Sequence, residues 1–338
     1  MPDHYGSTGL ALRSSLIERL NAALTPSSRV QYKSGIKAFL KFLSETDAAA
    51  SHITFPLSPI DSAIYTEWLL QNYAPGSVRT YRSHLNYFCD AINVPRPQWD
   101  VLPQMKRVFR EANKLAKRTK RKKLPITTSM ACTIVNSSDL TDPCDLICCL
   151  VLLTGVMGLF RLGELLVKNT LTYEPHKLIR KGHISFHPSI QEPEYFQLFL
   201  QFSKTDKYGV GVPIYIPCNS NPSCCPVLLM REWVGRFTNP TDPIFCWPSG
   251  RLMTTSSFIS WLRRKLRSLG IDDSQYAGHS LRRGGAVSAK AAGASDLLIK
   301  TLGRWTSDSF MIYLRLIPPH VQNLNDMLAH MKLVQNIR

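Results

Sequence analysis

The sequence predicts a mainly α-helical protein with one small antiparallel β-sheet, arranged as a helical domain followed by a mixed α/β domain. Three observations carry this. Apolar residues recur at helical spacing through most of the chain, and Val78, Tyr81, Leu85 and Phe88, at i, i+3, i+7 and i+10, are the clearest case. The period drops to two where Phe196, Leu198, Leu200 and Phe202 alternate with Tyr195, Gln197, Phe199 and Gln201. A chain of 338 residues fits two domains, at about 150 residues each.

Residues 1–13 read as a flexible N-terminus, and residues 14–116 as the helical domain. A first helix places Ile17, Leu20 and Leu24 on one side. Thr25-Pro26-Ser27-Ser28 supplies cap residues and a proline to start the next, whose stripe is Ile36, Phe39, Leu40 and Leu43. Ser58-Pro59 opens a helix with Ile60, Ile64 and Trp68 at fours, and Pro75-Gly76-Ser77 opens the helix of Val78 and Phe88. Arg79 and Arg82 lie off that last stripe, where they either face a polyanion or form a solvated face.

The stretch from Lys106 to Lys123 holds ten basic residues and one acid, Glu111. Its first part, with Met105, Val108, Ala112 and Leu115, has helical spacing. It carries Lys106, Arg107, Arg110 and Lys114, then Lys117 and Arg118. Lys120, Arg121, Lys122 and Lys123 follow in an extended basic linker, 117–126. A strap of this kind between folded segments suits several phosphates of a duplex or a nuclear-import signal.

The second domain covers residues 127–338. Thr127-Thr128-Ser129 caps one helix, and Asp142-Pro143 starts an apolar one that ends in GLFRLGELL, with Arg161 and Glu164 at i and i+3. The two-residue period marks a β-hairpin whose turn, Ser203 to Gly209, holds Lys204 and Lys207. A loop-rich stretch, 217–250, surrounds a helix near Pro226 to Phe237. A helix from Thr254 to Leu269 carries Arg263, Arg264, Lys265 and Arg267. After Pro318-Pro319 an amphipathic helix, about 320–334, shows Val321, Leu324, Leu328 and Met331 on one face.

Lys and Arg exceed Asp and Glu by 41 − 24 = 17, and the sequence pI is near 9.6. Such a balance favours a polyanionic partner. Nine cysteines include no CxxC pair, so they read as reduced thiols of an intracellular protein. The N-terminus has no apolar signal core. The apolar run 146–160 is shorter than the ~20 residues of a membrane span, so no membrane partner is expected.

The most informative stretch is HSLRRGGAVSAKAAGASDLLIKTLGRWTSDSFMIY, residues 279–313. His279 and Arg282, at i and i+3, share a helix face. A guanidinium fork beside an imidazole suits an anion. Trp305 brings one indole N–H, and Tyr313 a phenolic oxygen able to attack phosphorus or donate a hydrogen bond. Ser307 is placed to cap a short helix, 307–314, that carries Tyr313.

This order, HxxR, then GRW, then a tyrosine, resembles the C-terminal half of the tyrosine recombinase (phage-integrase-like) family. The wording HSLRRGGA with AAGA and LGRW most resembles recombinases of eukaryotic mobile elements such as DIRS-like retrotransposons and Cryptons. The resemblance covers about residues 127–315, and the helical domain matches the family's core-binding domain in kind. It implies a catalytic set of Arg161, Lys204, His279, Arg282, Trp305 and Tyr313. Glu164 supports that set by orienting Arg161 or capping backbone. Lys204, in SKTD, fits the family's turn lysine best, with Lys207 next.

In that reading Arg161 and Arg282 hold the non-bridging oxygens of the scissile phosphate. Losing such a donor costs about 10²–10³ in rate. Tyr313 attacks, His279 is base or hydrogen-bond partner, and Lys204 protonates the leaving 5′ oxygen. The 3′-phosphotyrosine bond stores the energy of the broken strand, so neither metal nor ATP nor other cofactor is expected, and the sequence holds no acidic cluster of the two-metal kind.

The function implied is a site-specific DNA recombinase or integrase serving integration or excision of a transposable element, in the nucleus if the source is eukaryotic. Its partners would be double-stranded DNA and further copies of the chain, a dimer per site and a tetramer in synapsis, joined through the C-terminal helix. A type IB-like topoisomerase and a domesticated, non-catalytic DNA-binding protein are the alternatives.

Overall fold

The computed structural model describes residues 26–46, 57–99, 101–119, 123–203, 206 and 209–311. The expected helices at 17–24 and 320–334, together with Lys204, Lys207, Tyr313, Lys120, Arg121 and Lys122, lie outside the described residues. The chain divides into two compact units, Met1–Arg121 and Lys122–Arg338.

The first unit contains α1 (Pro26–Glu45), α2 (Pro59–Asn72), α3 (Pro75–Ala91) and α4 (Pro103–Thr119). Ser58 caps α2 by accepting the Asp61 N–H, and Pro59 takes the first helical position, where its missing N–H costs nothing. The helical periods are those expected, but two faces are rotated. Leu40, Ile60 and Ile64 are exposed; Phe39 and Trp68 of the expected stripes are buried, joined by Phe42, Tyr65 and Leu69 and closed by Val78, Leu85 and Cys89. Large aromatic rings bury more area than a branched aliphatic, so they take the inside and the isoleucines one turn away do not. On α4 the residue packed against this core is Phe109, while Val108 and Leu115 of the expected stripe are exposed.

The second unit contains α5 (Thr128–Asn136), α6 (Pro143–Met157), α7 (Leu162–Leu165), β1 (Ile184–Pro188), β2 (Pro193–Leu200), β3 (Val212–Pro217), α8 (Pro226–Val234), α9 (Thr255–Ser268), α10 (His279–Ala291) and α11 (Asp296–Leu302). Thr127 and Asp142 cap α5 and α6 through their side chains, as the sequence predicts. The strands form one antiparallel sheet in the order β1-β2-β3. Along β2, Phe196, Leu198 and Leu200 are buried, and the residues between them are half-buried. The strand β1 adds an edge that the hairpin pattern alone does not reveal.

Helix α6 is the hub, with residues 146–157 all buried. No described helix is long and apolar enough to cross a membrane. The paired glycines of HSLRRGGA let α10 press onto this hub: a Cβ at Gly284 would collide with the Ile126 backbone, and one at Gly285 with the Val156 carbonyl. That close seat fixes the height at which Arg282, one turn earlier, enters the interior.

Candidate active site

Two helix ends build the site. After α6 the chain turns through Leu159 at φ 49, with Leu159 N–H bonded to the Val156 carbonyl and Phe160 N–H to that of Gly155. After α11 it turns through Arg304 at φ 56, with Arg304 N–H on the Thr301 carbonyl and Trp305 N–H on that of Lys300. Both are Schellman caps, which normally place glycine at the left-handed position. Helices α9 and α10 close the same way and do use glycine there, Gly270 and Gly293. A side chain in that conformation costs about 1 kcal/mol or more. The protein accepts the cost at the two ends that meet.

They meet on a carbonyl and a carboxylate. The Leu159 carbonyl accepts Arg282 Nη1 at 2.7 Å and Arg304 Nη2 at 3.2 Å. Arg282 also donates to the Gly303 carbonyl, and Arg304 Nη1 to that of Gly158 at 3.0 Å. Glu164, on the short helix α7 just beyond, receives Arg161 twice: the backbone N–H on Oε2 at 2.9 Å and Nη1 on Oε1 at 2.7 Å. Arg304 Nη2 reaches Oε2 at 3.1 Å, and Arg282 Nη1 stands 3.9 Å from the same oxygen.

One carboxylate, its side chain 5% exposed, therefore faces three guanidiniums. Burial pushes the Arg304 guanidinium below its ordinary pKa, and Glu164 opposes that shift. Three positive charges against one negative leave an excess that is held in a poorly solvated setting, which favours an anionic visitor. Arg161, the most exposed of the three, opens toward solvent.

Trp305 lies over this cluster. Its ring faces the Arg282 guanidinium at 4.3 Å and leans on Phe310 at 5.5 Å. Gly303 permits the fold-back, since a Cβ there would enter the indole ring. His279 opens α10 on the exposed side, beside α7, where Gly278 abuts Leu162. An open pocket of about 410 Å³ runs from Arg304 and Trp305 to Ser203, Asp206 and Gly211 at the base of the β2–β3 turn. Asp206 shapes that turn by accepting the N–H groups of Gly209 and Gly211 at 2.9 and 2.8 Å. The described neighbours of Lys204 thus share a pocket with Trp305. Among the described residues no group of three or more His, Cys, Asp or Glu is placed to hold a metal ion.

No protein-family model matches the chain. Among solved structures it is similar to XerH site-specific recombinase bound to a palindromic difH substrate, with TM-score 0.57 and 12% identity over 89% of this chain and 79% of that one. It is also similar to a lambda integrase dimer bound to a COC' core site, with TM-score 0.54 and 15% identity over 95% and 85%. The integrase of transposon Tn1549, in complex with circular intermediate DNA, gives TM-score 0.53 and 10% identity over 96% and 98%. The chain has the tyrosine-recombinase fold. A curated relative, an integrase/recombinase xerD homolog of Selenomonas ruminantium, is 27% identical over 164 residues, 46% of this chain and 43% of that protein. The match thus spans less than half of that relative's length.

On this tyrosine-recombinase fold the structure brings together Arg161, Glu164, Arg282 and Trp305, and sets His279 at the head of the Arg282 helix. Several expected features differ. Ser307 does not cap a helix with its side chain: its hydroxyl bonds Ser309, and a 3₁₀ turn, Asp308–Phe310, follows, anchored by buried Phe310. Arg82 is not a DNA-facing residue. It is 8% exposed, donates twice to Thr66 Oγ1, and lies over the rings of Trp99 and Phe109 at 5.2 and 5.1 Å. It stands four positions after Val78 and three before Leu85, so it shares their buried face.

Arg79 is exposed and lines a polar pocket with Gln31, Tyr32 and Ser83. Lys106, Arg107, Arg110 and Lys114 are exposed on α4, with Lys114 paired to Glu111. The side chains of Lys117 and Arg118 lie outside the described residues. Lys123 donates to the Ser274 carbonyl, and its own carbonyl accepts Arg283. On α9, Lys265 is held by Asp145 at 2.6 Å, while Arg263 and Arg267 flank Asp273.

Two contributors escape the sequence reading. Arg304 passes as the middle letter of GRW, and its only signal is a non-glycine residue placed where a helix must end. Asp206 passes as part of a turn, although an aspartate followed closely by Gly209 and Gly211 is the pattern of a side chain that folds its own loop.

Proposed function

We propose that the chain is a site-specific tyrosine recombinase, which cleaves and rejoins DNA strands through a 3′-phosphotyrosine intermediate. One observation carries this reading: Arg161, just before α7, and Arg282, on α10, converge with surplus positive charge on the single buried carboxylate of Glu164. The scissile phosphate is the anion that completes the balance. Arg161 and Arg282 stabilise the charge that grows on its non-bridging oxygens, and Glu164 and the Leu159 carbonyl keep them oriented. Tyr313 attacks phosphorus, His279 assists its deprotonation, and Lys204 protonates the 5′ oxygen as it leaves. Trp305 cannot move a proton. It covers Arg282 and limits water at the phosphate.

In this reading the helical unit grips duplex DNA, with Arg79 and the α4 basic residues on phosphates. Copies of the chain assemble on paired sites, a dimer per site and a tetramer in synapsis, through the helix that the sequence predicts at about 320–334. The lambda integrase neighbour is a dimer on its core site, which fits such an assembly. The Tn1549 integrase acts for a transposon, and the same setting, integration or excision of a mobile element, suits this chain. The wording around HSLRRGGA favours a eukaryotic element and hence a nuclear location.

The test is incubation of the full chain with a nicked suicide duplex carrying its element's terminal sequence. A detergent-resistant protein–DNA adduct and, on paired sites, exchanged strands are expected. Relaxation of supercoiled DNA without pairing of sites would indicate a topoisomerase instead, and sequence-selective binding without an adduct would leave a DNA-binding module.

A further inference from the structure

Four of the nine cysteines gather in one corner of the second unit. Cys132 lies midway along α5, and Cys224 ends the 3₁₀ turn Pro222–Cys224 that follows β3. Their sulfurs are 2.6 Å apart, although the residues are 92 positions apart in sequence. That separation is far inside the ordinary contact of two thiols and only a little beyond the ~2.05 Å of a disulfide bond. Cys132 is partly exposed and Cys224 is buried, so one sulfur of the pair meets solvent and the other waits behind it. Asn219 holds the inner one, its Nδ2 donating to the Cys224 carbonyl at 2.8 Å and lying 3.6 Å from Cys224 Sγ.

The second pair in the corner, Cys218 and Cys225, has a different character. Cys218 Sγ already donates to the Pro193 carbonyl. Burial and the neighbouring Cys225 push its thiol up to about 12, so little thiolate is available to start a reaction.

We propose that Cys132 and Cys224 form an oxidisable dithiol, a modification site that closes to an intramolecular disulfide under hydrogen peroxide. The Cys132 thiolate attacks one peroxide oxygen, the O–O bond breaks, and Cys132 becomes a sulfenic acid with release of water. Cys224 then attacks that sulfur, the S–S bond forms, and the sulfenic oxygen leaves as a second water. Two thiols lose two electrons and two protons, and one peroxide becomes two waters.

The bond would staple two layers of the unit. The α5 segment is tied to the helix that carries Arg282, through Thr128 N–H on Ser288 Oγ and Ile126 N–H on the Ser280 carbonyl. The turn at Cys224 follows the sheet whose β2–β3 hairpin lines the pocket. In a reducing compartment the pair stays as thiols. An oxidising pulse would lock the hairpin layer to the arginine-bearing layer.

The experiment treats folded full-length protein with a few equivalents of hydrogen peroxide, blocks remaining thiols, and maps peptides without reduction. A linked peptide containing Cys132 and Cys224 is expected, with a loss of about 2 Da per chain. It should vanish in Cys132→Ser and in Cys224→Ser but persist in Cys144→Ser, which removes an exposed cysteine elsewhere. Oxidised wild type should melt roughly 5–10 °C higher than reduced, reversibly with dithiothreitol, and Cys132→Ser should show no such rise. Because the link is mapped on wild type, a poorly folded variant cannot hide the answer. Three results would overturn the proposal: a Cys132 sulfinate or sulfonate beside an intact Cys224 thiol, a link that survives Cys224→Ser, or only intermolecular dimers.

Discussion

Arg304 Nη2 lies 3.1 Å from Glu164 Oε2 across 140 positions of sequence, and it does so from a left-handed backbone where a helix end prefers glycine. The contact explains why the residue before Trp305 is an arginine. It shares Glu164 with Arg161 and the Leu159 carbonyl with Arg282, so it braces both.

Substitution separates backbone from side chain at this position. Arg304→Ala and Arg304→Gly both lose the guanidinium, but only glycine relieves the left-handed strain. The glycine variant is therefore expected to be more stable than the alanine variant by about 1 kcal/mol, in urea unfolding of each protein. Both should lose cleavage alike. Equal stabilities would mean the backbone there is unstrained.

Glu164 is predicted to matter more for folding than a surface ion pair would. Removing it leaves three guanidiniums facing one another in a buried setting, and breaking such a pair costs about 3–5 kcal/mol. Glu164→Ala should show a loss of that size in denaturant unfolding. A loss below about 1 kcal/mol, the range of an exposed pair, would show that solvent already screens the cluster.

In the helical unit Arg82 and Arg79 should behave oppositely. Arg82→Ala removes two bonds to Thr66 and the packing on Trp99 and Phe109, so it should cost about 2 kcal/mol of stability. Arg79→Ala should leave stability within about 0.5 kcal/mol and weaken DNA binding. Thermal melts and gel shifts on both variants decide it, and a stable Arg82→Ala protein with weakened DNA binding would restore Arg82 to the DNA face.

His84 gives the same unit a pH dependence. It is buried against Gly35 of α1, its Nδ1 makes no hydrogen bond, and burial holds its pKa below the ordinary value. Unfolded chains therefore take up the proton first as pH falls. Stability is full above about pH 6.5, the ordinary histidine value, and declines as pH drops toward the folded-state value. His183 is lowered too, by burial and by Arg180, and adds the same sign in the second unit. Melts between pH 7.5 and 5 should fall more steeply for wild type than for His84→Gln. Parallel curves would contradict the assignment.

The parts legible in sequence were those set by local rules. Thr127 and Asp142 announce helix starts, the period-two run announces β2, and HxxR announces one wall of the site. What stayed hidden depends on the far partner. Helical spacing cannot say which of two apolar faces turns inward, so Ile60 and Ile64 look like core beside Trp68 until Tyr65 and Leu69 take their place. Arg82 looks like surface until Thr66 and Trp99 are beside it. Arg304 looks like spacing between Gly303 and Trp305 until the end of α6 arrives with Leu159 and Glu164.

The basic linker has its own signature. Neutralising Lys120, Arg121, Lys122 and Lys123 should weaken binding to all duplexes alike, because phosphate contacts carry no sequence information. The slope of log K against log salt should flatten by about 0.9 for each phosphate that is no longer neutralised. An unchanged slope would assign these residues to another role.

The central claim is that the arginine cluster around Glu164 serves a phosphotyrosyl transfer from Tyr313, and mapping the covalent adduct tests it most directly. Protein trapped on a nicked duplex would be digested and the nucleotide-bearing peptide sequenced by mass spectrometry. The account predicts a 3′-phosphate ester on Tyr313 and no adduct from Tyr313→Phe, which should still bind DNA. A nucleotide on any other residue, or a normal adduct yield from Tyr313→Phe, would contradict it.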